Sequence, residues 1–149
     1  MNDDFTDFLA ALIEAGARFL VVGAHALAVH GVARATGDLD IWIEPTAENA
    51  ARVWDALRAF GAPVDAVGLS VDDLSQPDRV VQIGLPPRRI DLMTEISGVE
   101  FGDAWASRLT QAVGSLEVPF LGRASLVLNK KAAGRHKDLA DLEGLGEIE

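Results

Sequence analysis

Residues 18–43 read Arg18-Phe19-Leu20-Val21-Val22-Gly23-Ala24-His25-Ala26-Leu27-Ala28-Val29-His30-Gly31-Val32-Ala33-Arg34-Ala35-Thr36-Gly37-Asp38-Leu39-Asp40-Ile41-Trp42-Ile43. The run Phe19 to Val22 has the β-branched and aromatic character of a short buried strand, and Gly23 ends it in a tight turn. The Ala-rich stretch 24–31, closed by Gly31, predicts a short helix. Leu39 to Ile43 then predicts a second strand, stopped by Pro45. One short stretch thus encodes strand, helix, strand, and sets the frame for the rest of the chain.

Upstream, Phe5, Phe8, Leu9, Leu12 and Ile13 share one helix face, with Asn2 to Asp4 as candidate N-caps and Gly16 as the stop. Downstream, Thr46 caps a predicted helix whose Ala50, Trp54, Leu57 and Phe60 share a face and which ends at Gly61. Pro63 to Gln76 has few periodic apolar positions and predicts an irregular or short-helical connection. Val80 to Leu85 and Ile90 to Glu95 predict two strands joined by Pro86-Pro87-Arg88, a candidate β-hairpin. Leu116 to Leu121 is a further strand, which Pro119 assigns to an edge or a strand end. Two helical stretches, about 124–133 and 137–145, flank Gly134. The pattern predicts an α/β (α+β) fold: a single domain over 1–149, with a mixed, twisted sheet of about four to five strands flanked by helices. Residues 123–149 form its C-terminal helical segment.

The length of 149 residues, with 49% hydrophobic and 24% charged side chains, fits one globular domain and excludes wholesale disorder. The absence of Cys excludes a disulfide framework, a thiolate nucleophile and a cysteine zinc site, leaving carboxylates and His to hold any metal. No apolar run reaches about 18 residues, and Asn2, Asp3 and Asp4 stand where a signal peptide would be positive. The expectation is a cytoplasmic protein with no membrane partner. A net charge of −10 disfavours a long nucleic-acid footprint. The charge is unevenly placed, however: residues 123–137 hold 5 Lys/Arg and no acid, including all three lysines, Lys130, Lys131 and Lys137.

Asp38 and Asp40 are two residues apart at a strand entry, so both project from one face of the sheet. Carboxylates so placed repel unless a cation lies between them, and a hard ion such as Mg²⁺ suits them. The same spacing also occurs in turn formers and solvated strand edges. Asp91 lies between Ile90 and Leu92 in a strand apolar enough to be central, where an unpaired carboxylate costs desolvation energy. Glu95 and Asp103 sit at element boundaries and read as surface acids. Gly23-Ala24 opens a helix, and free N–H groups there suit a phosphate, although a sharp strand-to-helix turn also needs a Gly. His25 and His30 are about 140° apart around a helix and do not converge on a metal. Trp42 and Trp105 read as core residues.

The stretch Val21 to Gly31, followed by Arg34-x-Thr36-x-Asp38-x-Asp40, resembles the first motif of the DNA polymerase β-like nucleotidyltransferase superfamily. More narrowly it is similar to the minimal, AbiEii-like bacterial nucleotidyltransferases, some of which are toxins of type IV toxin–antitoxin systems. Asn129-Lys130-Lys131-Ala132-Ala133-Gly134-Arg135-His136-Lys137-Asp138-Leu139-Ala140-Asp141-Leu142 resembles the C-terminal signature of that group. The resemblance implies a nucleotidyltransferase fold and an enzyme that transfers a nucleoside monophosphate from a triphosphate to a hydroxyl of tRNA, protein or a small molecule. It further implies two Mg²⁺ ions, replaceable by Mn²⁺, held by Asp38, Asp40 and Asp91, with Asp91 also accepting the acceptor's proton. Gly23, Ala24, Arg34, Thr36, Lys130, Arg135 and Lys137 would bind the nucleotide, and a cognate antitoxin is an implied partner. Gly23-Ala24 departs from the Gly-Gly or Gly-Ser usual at that turn. The departure and the small size leave room for a catalytically inactive module that binds nucleotide or a partner protein.

Overall fold

Asn2 Oδ1 accepts the Phe5 N–H at 2.9 Å and caps α1 (Asp3–Glu14), whose Phe5, Phe8, Leu9 and Leu12 are buried. This cap, in a computed structural model that describes residues 1–34, 37–66 and 68–147, begins where the sequence places it. After Gly16 the chain enters β1 (Phe19–Val22), every residue of which is buried, and turns at Gly23 into α2 (Gly23–Val29). β2 (Leu39–Ile43) leads to α3 (Ala47–Phe60), capped by Thr46 and closed by Gly61 in the left-handed conformation. The Thr46 cap is worth about 1 kcal/mol. Asn49, 2% exposed, clips this helix to the sheet. Its Oδ1 accepts Arg18 N–H at 2.7 Å, and its Nδ2 donates to the carbonyls of Arg18 and Glu44, each at 2.9 Å.

A 3-10 turn (Val71–Ser75) occupies the connection expected to be irregular or short-helical. β3 (Val80–Ile83) and β4 (Ile90–Met93) then form the anticipated antiparallel hairpin. Next come α4 (Phe101–Ala106), β5 (Leu109–Val113), β6 (Leu116–Phe120), α5 (Arg123–Ala133) and α6 (His136–Gly144). The six strands make one mixed sheet in the order β3-β4-β2-β1-β6-β5. β1 pairs antiparallel with β2 and parallel with β6, and β2 pairs parallel with β4.

Two expectations need correction. The sheet has six strands, because β5 was not foreseen: Leu109 to Ala112 are exposed, so the strand carries no alternation of buried and exposed positions. β6 is not an edge strand but lies between β1 and β5. The Leu121 N–H donates to the Val21 carbonyl. Backbone groups alternate sides along a strand, so the missing N–H of Pro119 also faces β1. Pairing with β1 is confined to Val21 opposite Phe120, whereas β5 pairs along all of β6. The proline therefore limits one side of the strand rather than placing it at the rim.

Leu39, Ile41 and Ile43 are fully buried on one face of β2, and Asp40 and Trp42 alternate onto the other. Trp42 packs edge-on against Phe101, ring centres 5.0 Å apart. Trp105 is half-buried: it stacks on Phe101 and lies under the guanidinium groups of Arg18 and Arg108. No helix among the described residues is long and apolar enough to cross a membrane.

Candidate active site

The antiparallel pairing of β1 with β2 sets Val22 opposite Asp40, and the parallel pairing of β2 with β4 sets Asp40 opposite Asp91. Three strand ends thus bring the turn at Gly23 and two carboxylates into one place. Gly23 has φ +68°, and a Cβ there would overlap Asp40 Oδ2, so glycine is required for both conformation and space. The carboxyl of Asp40 is pushed up to about 6 by burial first, then by the charges of Asp91 and Asp38 and a hydrogen bond with Asp91. Arg89 offsets part of this rise.

Arg89 is the residue that the sequence reading missed. Its Nη2 lies 2.7 Å from Asp38 Oδ2 and donates to Asp91 Oδ2 at 3.3 Å. Its Nε is 3.0 Å from Asp91 Oδ1. That last pair is a charge contact without hydrogen-bond alignment, and both atoms are buried without another partner. The signal was present in the spacing: Arg89-x-Asp91 at the entry to β4 has the same two-residue spacing as Asp38-x-Asp40 at the entry to β2. As the side chains stand, no three His, Asp or Glu among the described residues converge on a point that a metal ion could occupy.

A cleft of about 730 Å³ opens beside these acids. Val22, Gly23, Ala24 and Asp40 line it together with Arg34, Lys130, Arg135, Lys137 and Asp141. Of the expected nucleotide-binding residues, the cleft collects Gly23, Ala24, Arg34, Lys130, Arg135 and Lys137, while Thr36 lies outside the described residues. Asp38 and Asp91 stand behind Asp40 and are not part of its lining. No side chain caps the first turn of α2, so the N–H groups behind Gly23 and Ala24 have no side-chain acceptor.

The cationic wall is built differently from what the clustered lysines suggested. Lys130 is 8% exposed and lies 3.3 Å from Asp138 Oδ1 and 3.0 Å from Asp141 Oδ2. Arg135 donates to Asp138 through Nε at 2.6 Å, through Nη2 at 3.2 Å and through its backbone N–H at 3.1 Å. Arg34 is ion-paired with Asp141. Burial raises the Asp138 carboxyl, but hydrogen bonds from Arg135 and Lys130 and the Lys130 charge outweigh it and bring it down to about 2. Three cations thus share two buried carboxylates, and the wall stays net positive. Lys137 is exposed on the same wall and makes no ion pair among the described residues.

The histidines have structural roles. His30 Nε2 is 2.8 Å from the Leu121 carbonyl, and donation there ties the end of α2 to the end of β6. His25 packs edge-on to Phe5, and burial lowers its pKa. Neither lines the cleft.

The cleft thus brings a hard oxygen donor, the turn at Gly23 and fixed positive charge around a space large enough for a small-molecule ligand. No protein-family model matches the chain, and no curated protein matches it.

Proposed function

We propose that this chain is a metal-dependent nucleotidyltransferase that moves a nucleoside monophosphate from a triphosphate to an acceptor hydroxyl. One observation carries the reading: Asp40, set opposite Asp91 by the β2–β4 register, and the turn at Gly23 share a cleft with Arg34, Lys130, Arg135 and Lys137. The resemblance at residues 21–40 and 129–142 supplies the reaction class. It also supplies the nucleotidyltransferase fold, the acceptor classes (tRNA, protein or a small molecule) and the antitoxin partner.

The residues fit Mg²⁺ in chemistry. All three candidate ligands are carboxylates, and Asp91 Oδ1 is a buried oxygen with no hydrogen-bond partner. Asp40 and Asp91 would hold the ion where they already adjoin, and Asp38 would join them once released from Arg89. A bound ion neutralises phosphoryl charge and lowers the pKa of an acceptor hydroxyl. The chain's own contribution is positional. Gly23 lets a phosphate approach the backbone of α2, and Lys130, Arg34 and Arg135 are held in place by Asp138 and Asp141. Lys137 adds an exposed charge at the cleft wall.

The second reading, a module that binds nucleotide or a partner protein without catalysis, is favoured by the ion pairs that engage Arg34, Lys130 and Arg135. Incubation with each α-labelled triphosphate, Mg²⁺ and total RNA or lysate protein separates the two. Transfer of label by the wild type and its loss in Asp40→Asn supports the enzyme. Absence of label in every acceptor, with equal nucleotide affinity in both proteins, supports the module.

A further inference from the structure

We infer that Arg89 is a built-in counter-cation that competes with divalent metal for Asp38 and Asp91, so that metal entry requires its guanidinium to leave. The inference rests on the metal-site reading above and adds the residue that sets the affinity of that site.

The guanidinium reaches both carboxylates at once, with Nη2 at 2.7 Å from Asp38 and Nε at 3.0 Å from Asp91. It occupies oxygens of Asp38 and Asp91 that a metal ion would need, and no three His, Asp or Glu among the described residues converge on one point. Its hold is incomplete. The Nε–Asp91 Oδ1 contact is not aligned as a hydrogen bond, and Arg89 makes no ion pair with Asp40 among the described residues. A divalent ion carries twice the charge and accepts oxygen ligands from several directions, whereas a guanidinium is planar.

The exchange requires little rearrangement. The Arg89 side chain is 29% exposed and that of Asp38 is 27% exposed, so both can turn towards solvent without opening the core. The Arg89 carbonyl accepts the Leu39 N–H at 3.0 Å, which anchors the backbone while the side chain moves.

Mn²⁺ titration of the full chain at pH 8 by calorimetry, without nucleotide, tests this on wild type, Arg89→Gln, Arg89→Lys and the neighbouring Arg88→Gln. Arg88 pairs with Asp4 and controls for loss of one positive charge on the same turn. Competition predicts Mn²⁺ binding about tenfold tighter in Arg89→Gln, an intermediate gain in Arg89→Lys and none in Arg88→Gln. A second readout is the Arg89 Nε–H resonance, assigned by its loss in Arg89→Gln, which should move on Mg²⁺ addition to the wild type. Wild-type binding with equal or weaker binding in Arg89→Gln, or an unmoved resonance at saturating Mg²⁺, overturns the competition and leaves the metal site standing. No Mn²⁺ binding in any of the four proteins overturns both.

Discussion

Gly23 stands directly against the carboxylate of Asp40, so close that a single methyl group at residue 23 would displace it. Gly23→Ala therefore acts on the acid as well as on the backbone. The left-handed φ of +68° costs an L-residue about 1–2 kcal/mol, and the added carbon must also push Asp40 aside. The expected outcome is a modest loss of denaturant midpoint together with loss of Mn²⁺ binding. Gly61→Ala is the control for strain alone: residue 61 also has positive φ (+90°), a Cβ there meets nothing within 4 Å, and it does not line the cleft. Equal metal affinity in both variants would show that Gly23 serves the turn and not the carboxylate.

Asp40 titrates near 6 in the fold against an ordinary 3.8, so the folded chain binds the proton more tightly than the unfolded one. Its contribution to stability is present below the unfolded pKa and is lost as pH rises from about 4 to about 6. Asp40→Asn should consequently raise the melting temperature at pH 7.5 and leave it nearly unchanged at pH 4. Saturating Mg²⁺ should stabilise the wild type at pH 7.5 and not the variant. A melting temperature that falls in Asp40→Asn at pH 7.5 contradicts the burial and repulsion that raise this group.

Removing Asp138 leaves Lys130 buried beside Asp141 alone and deprives Arg135 of its acceptor. Breaking a buried pair from one side costs about 3–5 kcal/mol, so Asp138→Ala should lower unfolding free energy by that order. The Asp138 carboxyl lies near 2, so its stabilisation is present above about 3.8 and fades as pH falls towards 2. Urea unfolding at pH 7, pH 3 and pH 2 measures both, and the gap between variant and wild type should narrow at pH 3 and be smallest near pH 2.

Lys137 and Lys131 are both exposed on the basic stretch, but only Lys137 lines the cleft. Lys137→Ala should weaken triphosphate binding by about five- to tenfold, a loss of about 1 kcal/mol or slightly more, with no change in melting temperature. Lys131→Ala should change neither. Equal losses in both would point to general attraction by the basic segment.

The strands that hold the acids were legible because they are buried. β1, β2 and β4 are apolar runs, and Asp40 and Asp91 stand out in them as charges that burial must explain. β5 was illegible for the converse reason: Leu109 to Ala112 face solvent, and only pairing with β6 makes them a strand. Of the two places that Pro119 allowed, an edge or a strand end, the structure has the second: it is the penultimate residue of an interior strand, since a proline removes a donor from one neighbour only. Arg89, in a turn that reads Pro86-Pro87-Arg88-Arg89, looks like a solvated arginine until the register puts it beside Asp38. Asp138 and Asp141, three apart and hence on one face of α6, belong to residues 138–149, which hold 5 Asp/Glu and no Lys/Arg and follow the basic stretch in sequence. Their burial against Lys130 depends on the packing of α5 against α6, which no local pattern encodes.

The dependence of Arg34 and Lys130 on Asp138 and Asp141 also sets an order of assembly during synthesis. A nascent chain that has released residues 1–95 already contains every strand of the acidic side, and these can pair as they emerge. The cationic wall must wait until α6 leaves the ribosome, several seconds later at about 5–20 residues per second. In that interval the acids face a cleft without its opposite wall, and Lys130, once made, has no carboxylate to bury against. α6 therefore works as a latch: its docking brings the two carboxylates that fix Lys130 and Arg34 at the cleft.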